Sequence, residues 1–210
     1  RKETGLFLVE GRKMVTEAPA SGFSVETILC DAAQAATYAS LLSQGEAALL
    51  PAHVLAAVCD TKTPQGIAAV VRMGAIAHLG KRLVALDGVQ DPGNVGTILR
   101  TADCAGMEGL LLSEQCADIF SPKVLRATMG SIFRMPVEVT ADLPGRLYAL
   151  REQGYSVLSS QLDGTPFYQR RGVGERYVLV VGNEGNGVSH QVQQLATHRL
   201  RLPMRGGAES

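Results

Sequence analysis

The chain has 210 residues, of which 46% are hydrophobic and 19% are charged; this composition is that of a globular protein with one large or two small domains, and it excludes a disordered or fibrous class. No apolar run approaches the length of a membrane span, and the N-terminus has no basic-then-apolar signal segment. The formal net charge of zero argues against nucleic-acid binding through the overall charge of the protein. Nucleic acid would have to bind at local basic patches.

Four cysteines are scattered along the chain, and none forms a CxxC pair or a Cys/His spacing typical of a metal site. We therefore predict reduced thiols in a cytoplasmic protein without a bound metal. The residues are Cys30, Cys59, Cys104 and Cys116.

The first 75 residues contain the elements of a small α/β domain of a size that folds on its own. Apolar runs predict strands at 6–9, 25–30 and 66–73, and helical periodicity predicts helices from residue 11, over 32–42 and over 53–58. Residues 74–81 are predicted to be the junction to a second domain, which we place at 80–210.

The stretch from 83 to 106 is predicted to be a strand, a polar turn and a helix. Asn94 is predicted at or near the N-cap, Arg100 lies about two turns further on a polar stripe, and Gly106 fits a left-handed stop. Taken alone, the stretch fits two interpretations. It is either an ordinary βα unit with a solvated arginine, or a glycine-containing loop and helix N-terminus that bind an anionic ligand.

Strands continue to alternate with helices through the rest of the chain. The sequence predicts strands at 109–112, 136–139, 156–160, 177–181 and 200–202, and helices at 122–133, 143–153 and after Ser189. This order predicts an α/β fold with a mostly parallel sheet and helices on both faces.

Ligands of such sheets bind at the carboxyl ends of the strands, and three loops there are candidates for a site. They are residues 91–100, the glycine-rich segment 182–187, which carries Glu184, and residues 203–210. No Walker or GxGxxG motif and no catalytic Ser-His-Asp set is present.

Basic residues occur in small groups, each of which by itself predicts no more than a solvated face. Only their convergence in the fold would create a nucleic-acid contact. The groups are Arg1-Lys2, Arg12-Lys13, Lys81-Arg82, Lys123 with Arg126, Arg170-Arg171, and Arg199 with Arg201 and Arg205.

Together the three loops resemble motifs 1, 2 and 3 of the SpoU (TrmH-type) RNA 2′-O-ribose methyltransferases of the SPOUT class. The matching segments are DPGNVGTILRTADCAG, VLVVGNEGNGVS and LRLPMRGGAES, in that order. SPKVLRATMGSIFRMPV is similar to the segment between them, and FLVEGRKMVTEA and TPQGIAAVV are similar to the small RNA-binding domain that often precedes the catalytic one.

The resemblance implies S-adenosylmethionine as cofactor, bound in a C-terminal trefoil knot near Gly182, Gly187, Leu202 and Met204. It implies catalytic roles for Arg100, Asn94 and Glu184 and for the motif 3 serine, Ser210. It also implies a homodimer in which the partner helps to complete the site. The family's motif 3 continues past Ser210 with Leu-Asn and a helix, so we expect this sequence to be part of a longer chain.

The resemblance predicts methylation of a ribose in RNA, with ribosomal RNA as first substrate and transfer RNA as second. A guanidinium is normally a poor base, so we assign Arg100 first to clamping the RNA phosphate and ribose. The proton acceptor stays open between Arg100, assisted by that phosphate, and Glu184. The alternatives are a catalytically inactive RNA-binding or ribosome assembly protein on the same fold, and a small-molecule methyltransferase, against which the N-terminal domain argues.

Overall fold

The computed structural model describes residues 4–74, 78–204 and 206. In chain order the elements of these ranges are β1 (Leu6–Glu10), α1 (Arg12–Ala20), β2 (Val25–Asp31), α2 (Ala39–Leu42), β3 (Ala47–Leu50), α3 (Ala52–Val58), β4 (Ile67–Arg72), β5 (Arg82–Asp87), α4 (Pro92–Cys104), β6 (Leu110–Ser113), α5 (Pro122–Thr128), β7 (Val137–Thr140), α6 (Leu143–Glu152), β8 (Ser156–Pro166), β9 (Tyr177–Gly182), α7 (His190–Leu195) and β10 (His198–Arg201).

The chain divides into two compact units. The first consists of residues 1–75 with 120–134, and the second of residues 76–119 with 135–210. The expected division had placed 120–134 in the second domain. These residues join the first unit because the Phe120 ring lies 4.7 Å from that of Phe7, the Phe133 ring lies 5.2 Å from that of Phe23, and Arg126 forms an ion pair with Asp60.

The first unit contains a four-stranded sheet in the order β1-β4-β2-β3. The β4 strand pairs antiparallel with both β1 and β2, whereas β3 adds to β2 in parallel. The sequence did not predict β3, a four-residue edge strand with no clear alternation of polar and apolar residues.

Two predicted helices of this unit are shorter than expected. The predicted helix at 32–42 is wrong over most of its length. Only Ala39–Leu42 is α-helical, Ala32–Gln34 is a 3-10 turn, and Tyr38 between them has a non-helical backbone with φ of −108° and ψ of 14°. The Tyr38 side chain is buried and donates its hydroxyl hydrogen bond to the Gln65 carbonyl at 2.6 Å. The predicted helix at 122–133 ends at Thr128, because Met129 and Gly130 both have left-handed backbones with φ of 52° and 95°.

The second unit is built on a six-stranded sheet in the order β10-β8-β9-β5-β6-β7, and each pairing is parallel. One face packs against α6 and α7 through Leu147, Leu150 and Val192. Alternate strand residues such as Val84 and Leu86 point to the opposite face and are equally buried, so both faces are covered. The predicted α/β fold with a mostly parallel sheet is confirmed.

Strand β8 continues six residues past its predicted end. The extension pairs with β10, with Thr165 opposite Leu200 and Pro166 opposite Arg201 after a register shift. A side chain at Gly164 would meet the Leu200 backbone at 2.7 Å, so the two strands approach closely there because this position has no Cβ.

All four cysteines lie in the described ranges and are free thiols. None of the described helices combines the length and the apolar character that a membrane crossing requires.

Candidate active site

The first loop of the site leads from β5 into α4. Asp91, not Asn94, is the N-cap: its Oδ1 accepts a hydrogen bond from the Asn94 backbone N–H at 2.8 Å, and Pro92 occupies the first helical position. Asn94, predicted at or near the N-cap, lies in the first turn, three residues after the cap. Since Asp91 satisfies this helix end, the Asn94 side chain remains available for another contact.

That contact is with Glu184, which lies 90 residues further along the chain. Its carboxylate accepts hydrogen bonds from Asn94 Nδ2 at 3.1 Å and from the backbone N–H groups of Gln90 at 3.3 Å and Asp91 at 3.2 Å. The hydrogen bond from Asn94 and those from the backbone lower the pKa of Glu184 below its ordinary value of 4.5. The carboxylate is therefore ionised at neutral pH and joins the first two loops.

The second loop is a tight turn that follows β9. The backbones of Asn183 and Gly187 exchange two hydrogen bonds of 2.9 Å, and Gly187 has a left-handed φ of 67°. The Asn183 Oδ1 accepts from the N–H groups of Gly185 and Asn186, and its Nδ2 donates to the Gly88 carbonyl at 2.8 Å. Sequence reasoning missed this role of Asn183, although an asparagine that opens a glycine-rich turn is typical of side-chain-to-backbone bonding.

Gly182 lies where β9 passes closest to this turn. A Cβ at this position would overlap the backbones of Gly187 and Val188, and backbone atoms cannot rotate away as a side chain could. The turn therefore folds back directly onto the end of β9. A further bond, from the Ser189 N–H to Asp87 Oδ2 at 2.7 Å, holds the start of α7 to the end of β5.

A cavity of about 790 Å³ opens beside the turn, and this volume lies within the range of sites for nucleoside-sized ligands. Gly182, Gly187, Leu202 and Met204 all line it. Leu202 and Met204 are 66% and 56% exposed, so the segment after β10 presents apolar side chains to the cavity. Ser210, the fourth expected catalytic residue, lies outside the described residues.

Arg100 is exposed on α4, where its side chain has no hydrogen-bonding or ionic partner among the described residues. The structure thus joins Asn94 and Glu184 directly but leaves the guanidinium of Arg100 available to an external anion.

Titratable side chains of the described ranges form no group of three or more that could hold a metal ion. The site therefore combines the ionised and hydrogen-bonded carboxylate of Glu184, a cavity with the backbone of residues 182–187 as one wall, and the exposed cation of Arg100. A cavity and a separate cation can bind two ligands, one in the cavity and one anionic ligand at Arg100.

The two parts of the sequence each match a known protein family. Residues 81–210 match the SpoU rRNA Methylase family, and residues 1–69 match the MRM3-like substrate binding domain. A relative from Bacillus subtilis (strain 168), the 23S rRNA (guanosine(2553)-2′-O)-methyltransferase RlmP, is 37% identical over 212 residues, which cover 100% of this chain and 84% of that protein.

Solved structures of a SpoU methyltransferase and of an rRNA methyltransferase are also similar to this chain. The SpoU methyltransferase AviRb from Streptomyces viridochromogenes, in complex with AdoMet, has 27% identity and a TM-score of 0.88, covering 100% of this chain and 85% of that one. An AdoMet-bound rRNA methyltransferase from Sinorhizobium meliloti has 30% identity and a TM-score of 0.86, covering 100% and 83%.

Proposed function

Since this chain belongs to the SpoU rRNA methylase family, we propose that it uses S-adenosylmethionine to methylate a ribose 2′-hydroxyl of RNA. The observation that carries the proposal is the junction of the first two motif loops through Glu184, beside a cavity of the required size. Ribosomal RNA is the first candidate substrate, since the B. subtilis relative is named for 23S rRNA, and transfer RNA is the second.

The residues that line the cavity fit this cofactor. The turn at 182–187 offers main-chain groups at close range because Gly182 has no side chain, and Leu202 and Met204 supply apolar surface for an adenine ring. Asp163 and Glu184 also line the cavity together with Arg201, so carboxylates outnumber cations there and favour a positively charged ligand. When bound, the cofactor supplies a methyl group on a cationic sulfur; we keep Ser210 as a proposed member of this site.

We assign Glu184 and Asn94 to positioning. A carboxylate that already accepts four hydrogen bonds, the fourth from Asn183 Nδ2 at 3.5 Å, and has a lowered pKa is a weak proton acceptor. It serves better to fix the loop that leads into α4. This reasoning argues against Glu184 as the acceptor of the hydroxyl proton. Arg100, assisted by the RNA phosphate, is the other candidate, and its first role here is to hold that phosphate.

Arg100 is proposed to bind the phosphate and ribose of the target nucleotide. Its exposure and its lack of a carboxylate partner in the described ranges leave the charge available for a bidentate contact. Alignment of hydroxyl and methyl group is the main requirement of such a displacement, so this contact supplies much of the catalysis. We further propose a homodimer whose partner completes the site, a trefoil knot around the cavity, and a cytoplasmic location.

The test uses S-adenosylmethionine labelled on its methyl group, with unmodified ribosomal and transfer RNA and with Arg100→Ala in parallel. We expect alkali-resistant label in ribosomal RNA, a loss of about 100-fold or more in the variant, and unchanged cofactor binding in calorimetry. RNA binding without transfer would favour the alternative, a protein that retains the fold for ribosome assembly.

A further inference from the structure

A group of exposed basic and aromatic residues lies at the β10 edge of the second unit's sheet. We define this group, the basic edge, as Tyr168, Arg170, Arg171, Arg199 and Arg201. All five are exposed. They come from two separate segments, the connection between β8 and β9 and the strand β10 itself.

The fold brings these two segments together. Arg199 is paired with Ser159 and Arg201 with Pro166, which directly precedes the Phe167–Gln169 turn. A ring nitrogen of His198 lies 3.0 Å from the Arg171 carbonyl oxygen and fixes the other end of the connection beside β10. Two basic pairs that are 28 residues apart in sequence therefore converge on one surface.

The charges of the basic edge are not neutralised within the described part of the chain. Its four arginines have no carboxylate within 4.0 Å there. Of the two acids between residues 160 and 176, Glu175 is ion-paired with Lys81, which leaves Asp163 as the unpaired acid of this segment. Several other basic residues are ion-paired: Lys13 pairs with Glu17, Arg82 with Glu108, and Arg126 with Asp60. In a chain of zero net charge, this surface is a local excess of positive charge.

The aromatic residues of the connection are arranged as a stacking surface. Tyr168 is 80% exposed, an unusual position for a large ring, and its ring meets that of Phe167 edge-on at 5.8 Å. The Arg170 guanidinium lies 4.0 Å above the Phe167 ring. Phe167 is partly buried and supports Tyr168, so one ring is open for stacking. An exposed ring beside arginines is a feature with which proteins hold an unpaired base and the neighbouring phosphates.

We propose that the basic edge binds a single-stranded segment of the RNA substrate next to the nucleotide that is methylated. The surface adjoins the cofactor cavity, because Arg201 and the neighbouring Leu162 and Asp163 line that cavity. Arg170, Arg171 and Arg199 contact phosphates, and Tyr168 stacks on a base. This inference rests on the proposed function for its choice of RNA, but the binding is measured without methyl transfer.

The test measures fluorescence anisotropy of a labelled oligouridine of about 12 nucleotides at several salt concentrations, with an RNA duplex of equal length for comparison. The variant Arg170→Ala/Arg171→Ala should bind oligouridine at least tenfold more weakly and lower the slope of log affinity against log salt by about 1.4, which is about 0.7 for each phosphate that the variant no longer neutralises. Tyr168→Ala should weaken binding roughly tenfold and Tyr168→Phe should not. The duplex should bind weakly to every variant.

Arg82→Ala/Arg126→Ala is the matched control, since it removes two cations that are already ion-paired, with Glu108 and Asp60, and leaves the Lys81–Glu175 pair beside the basic edge intact. It should keep wild-type oligouridine affinity, and Arg170→Ala/Arg171→Ala should keep wild-type cofactor affinity in calorimetry. Equal losses in both double variants would overturn the proposal, as would a change of oligomeric state in the basic-edge variant, which would make this surface a subunit contact. If methyl transfer fails but oligouridine binding depends on the basic edge, this proposal stands and the proposed activity does not.

Discussion

Replacement of Gly182 by alanine isolates the close approach between β9 and the turn at 183–187. The backbone of Gly182 lies outside the left-handed region, so alanine can adopt its conformation and only the added methyl group matters. That methyl group would overlap main-chain atoms of Gly187 and Val188, and the turn must move by about 1 Å to admit it.

The cost has two parts. Overpacking contributes about 1–3 kcal/mol, and lengthening the two hydrogen bonds between Asn183 and Gly187 contributes up to about 1 kcal/mol each. We expect a loss near 3 kcal/mol in the free energy of unfolding, which lowers Tm by roughly 6–12 °C for a chain of this size. Because the moved turn is a wall of the cavity, affinity for S-adenosylmethionine should also fall by at least tenfold.

Thermal unfolding and titration calorimetry on folded protein measure both effects. Gly185→Ala is the control, because a Cβ there would lie at an ordinary 3.6 Å from Asn183 Oδ1. If Gly182→Ala unfolds at the wild-type temperature and binds the cofactor normally, the turn does not fold back on β9 as described. If Gly182→Ala and Gly185→Ala lose the same stability and cofactor affinity, the cause is the loss of a glycine in general and not the close approach at Gly182.

Three further changes test other parts of the second unit. Glu184→Gln should lower the free energy of unfolding by about 1 kcal/mol, since an amide nitrogen cannot accept from the N–H groups that the carboxylate binds. The folded-state pKa of Glu184 is depressed, so its contribution is present above the ordinary value of 4.5 and is lost as the pH falls through the folded-state pKa. Denaturant titrations of wild type and Glu184→Gln should therefore differ at about pH 7 and converge once the pH lies below that pKa. Tyr155→Phe should cost about 1–3 kcal/mol in urea unfolding because it leaves the Gly80 carbonyl without the hydroxyl that donates to it at 2.8 Å, and wild-type stability would contradict that bond. Leu147→Ala, at a fully buried position between α6 and the sheet, should cost about 2–5 kcal/mol with cofactor affinity retained in the folded protein, and a loss below 1 kcal/mol would contradict this packing.

Local pattern predicted the parallel strands well, because β5 and β9 are continuous apolar runs that only a doubly covered sheet buries. It failed where distant contacts decide the structure. The extension of β8 depends on pairing with β10, and the helix predicted over 32–42 is interrupted at Tyr38, whose side chain contacts a residue 27 positions away.

The same distinction holds at the site. The resemblance supplied Asn94, Arg100 and Glu184 as candidates, but no periodicity indicates that a carboxylate would accept from an amide 90 residues earlier. The sequence pattern did not separate Asp91 from Asn94 as the N-cap because both have suitable side chains, and the proline at the first helical position decides in favour of Asp91. The proximity of Arg170-Arg171 to the arginines of β10 likewise depends on the order of strands in the sheet, and this order cannot be derived from the composition of the chain.

The position of β10 at the rim of its sheet has a consequence for solubility. In the described part of the chain its outer edge faces no further strand, so a row of main-chain hydrogen-bonding groups is open to pairing with the edge of another molecule. The strand is only four residues long, it is distorted by a register shift, and it carries Arg199 and Arg201 pointing to solvent. The short length, the register shift and the repulsion between like charges each discourage edge-to-edge aggregation. Substitution of Arg199 and Arg201 by uncharged residues that favour β-strands would therefore make the protein prone to association.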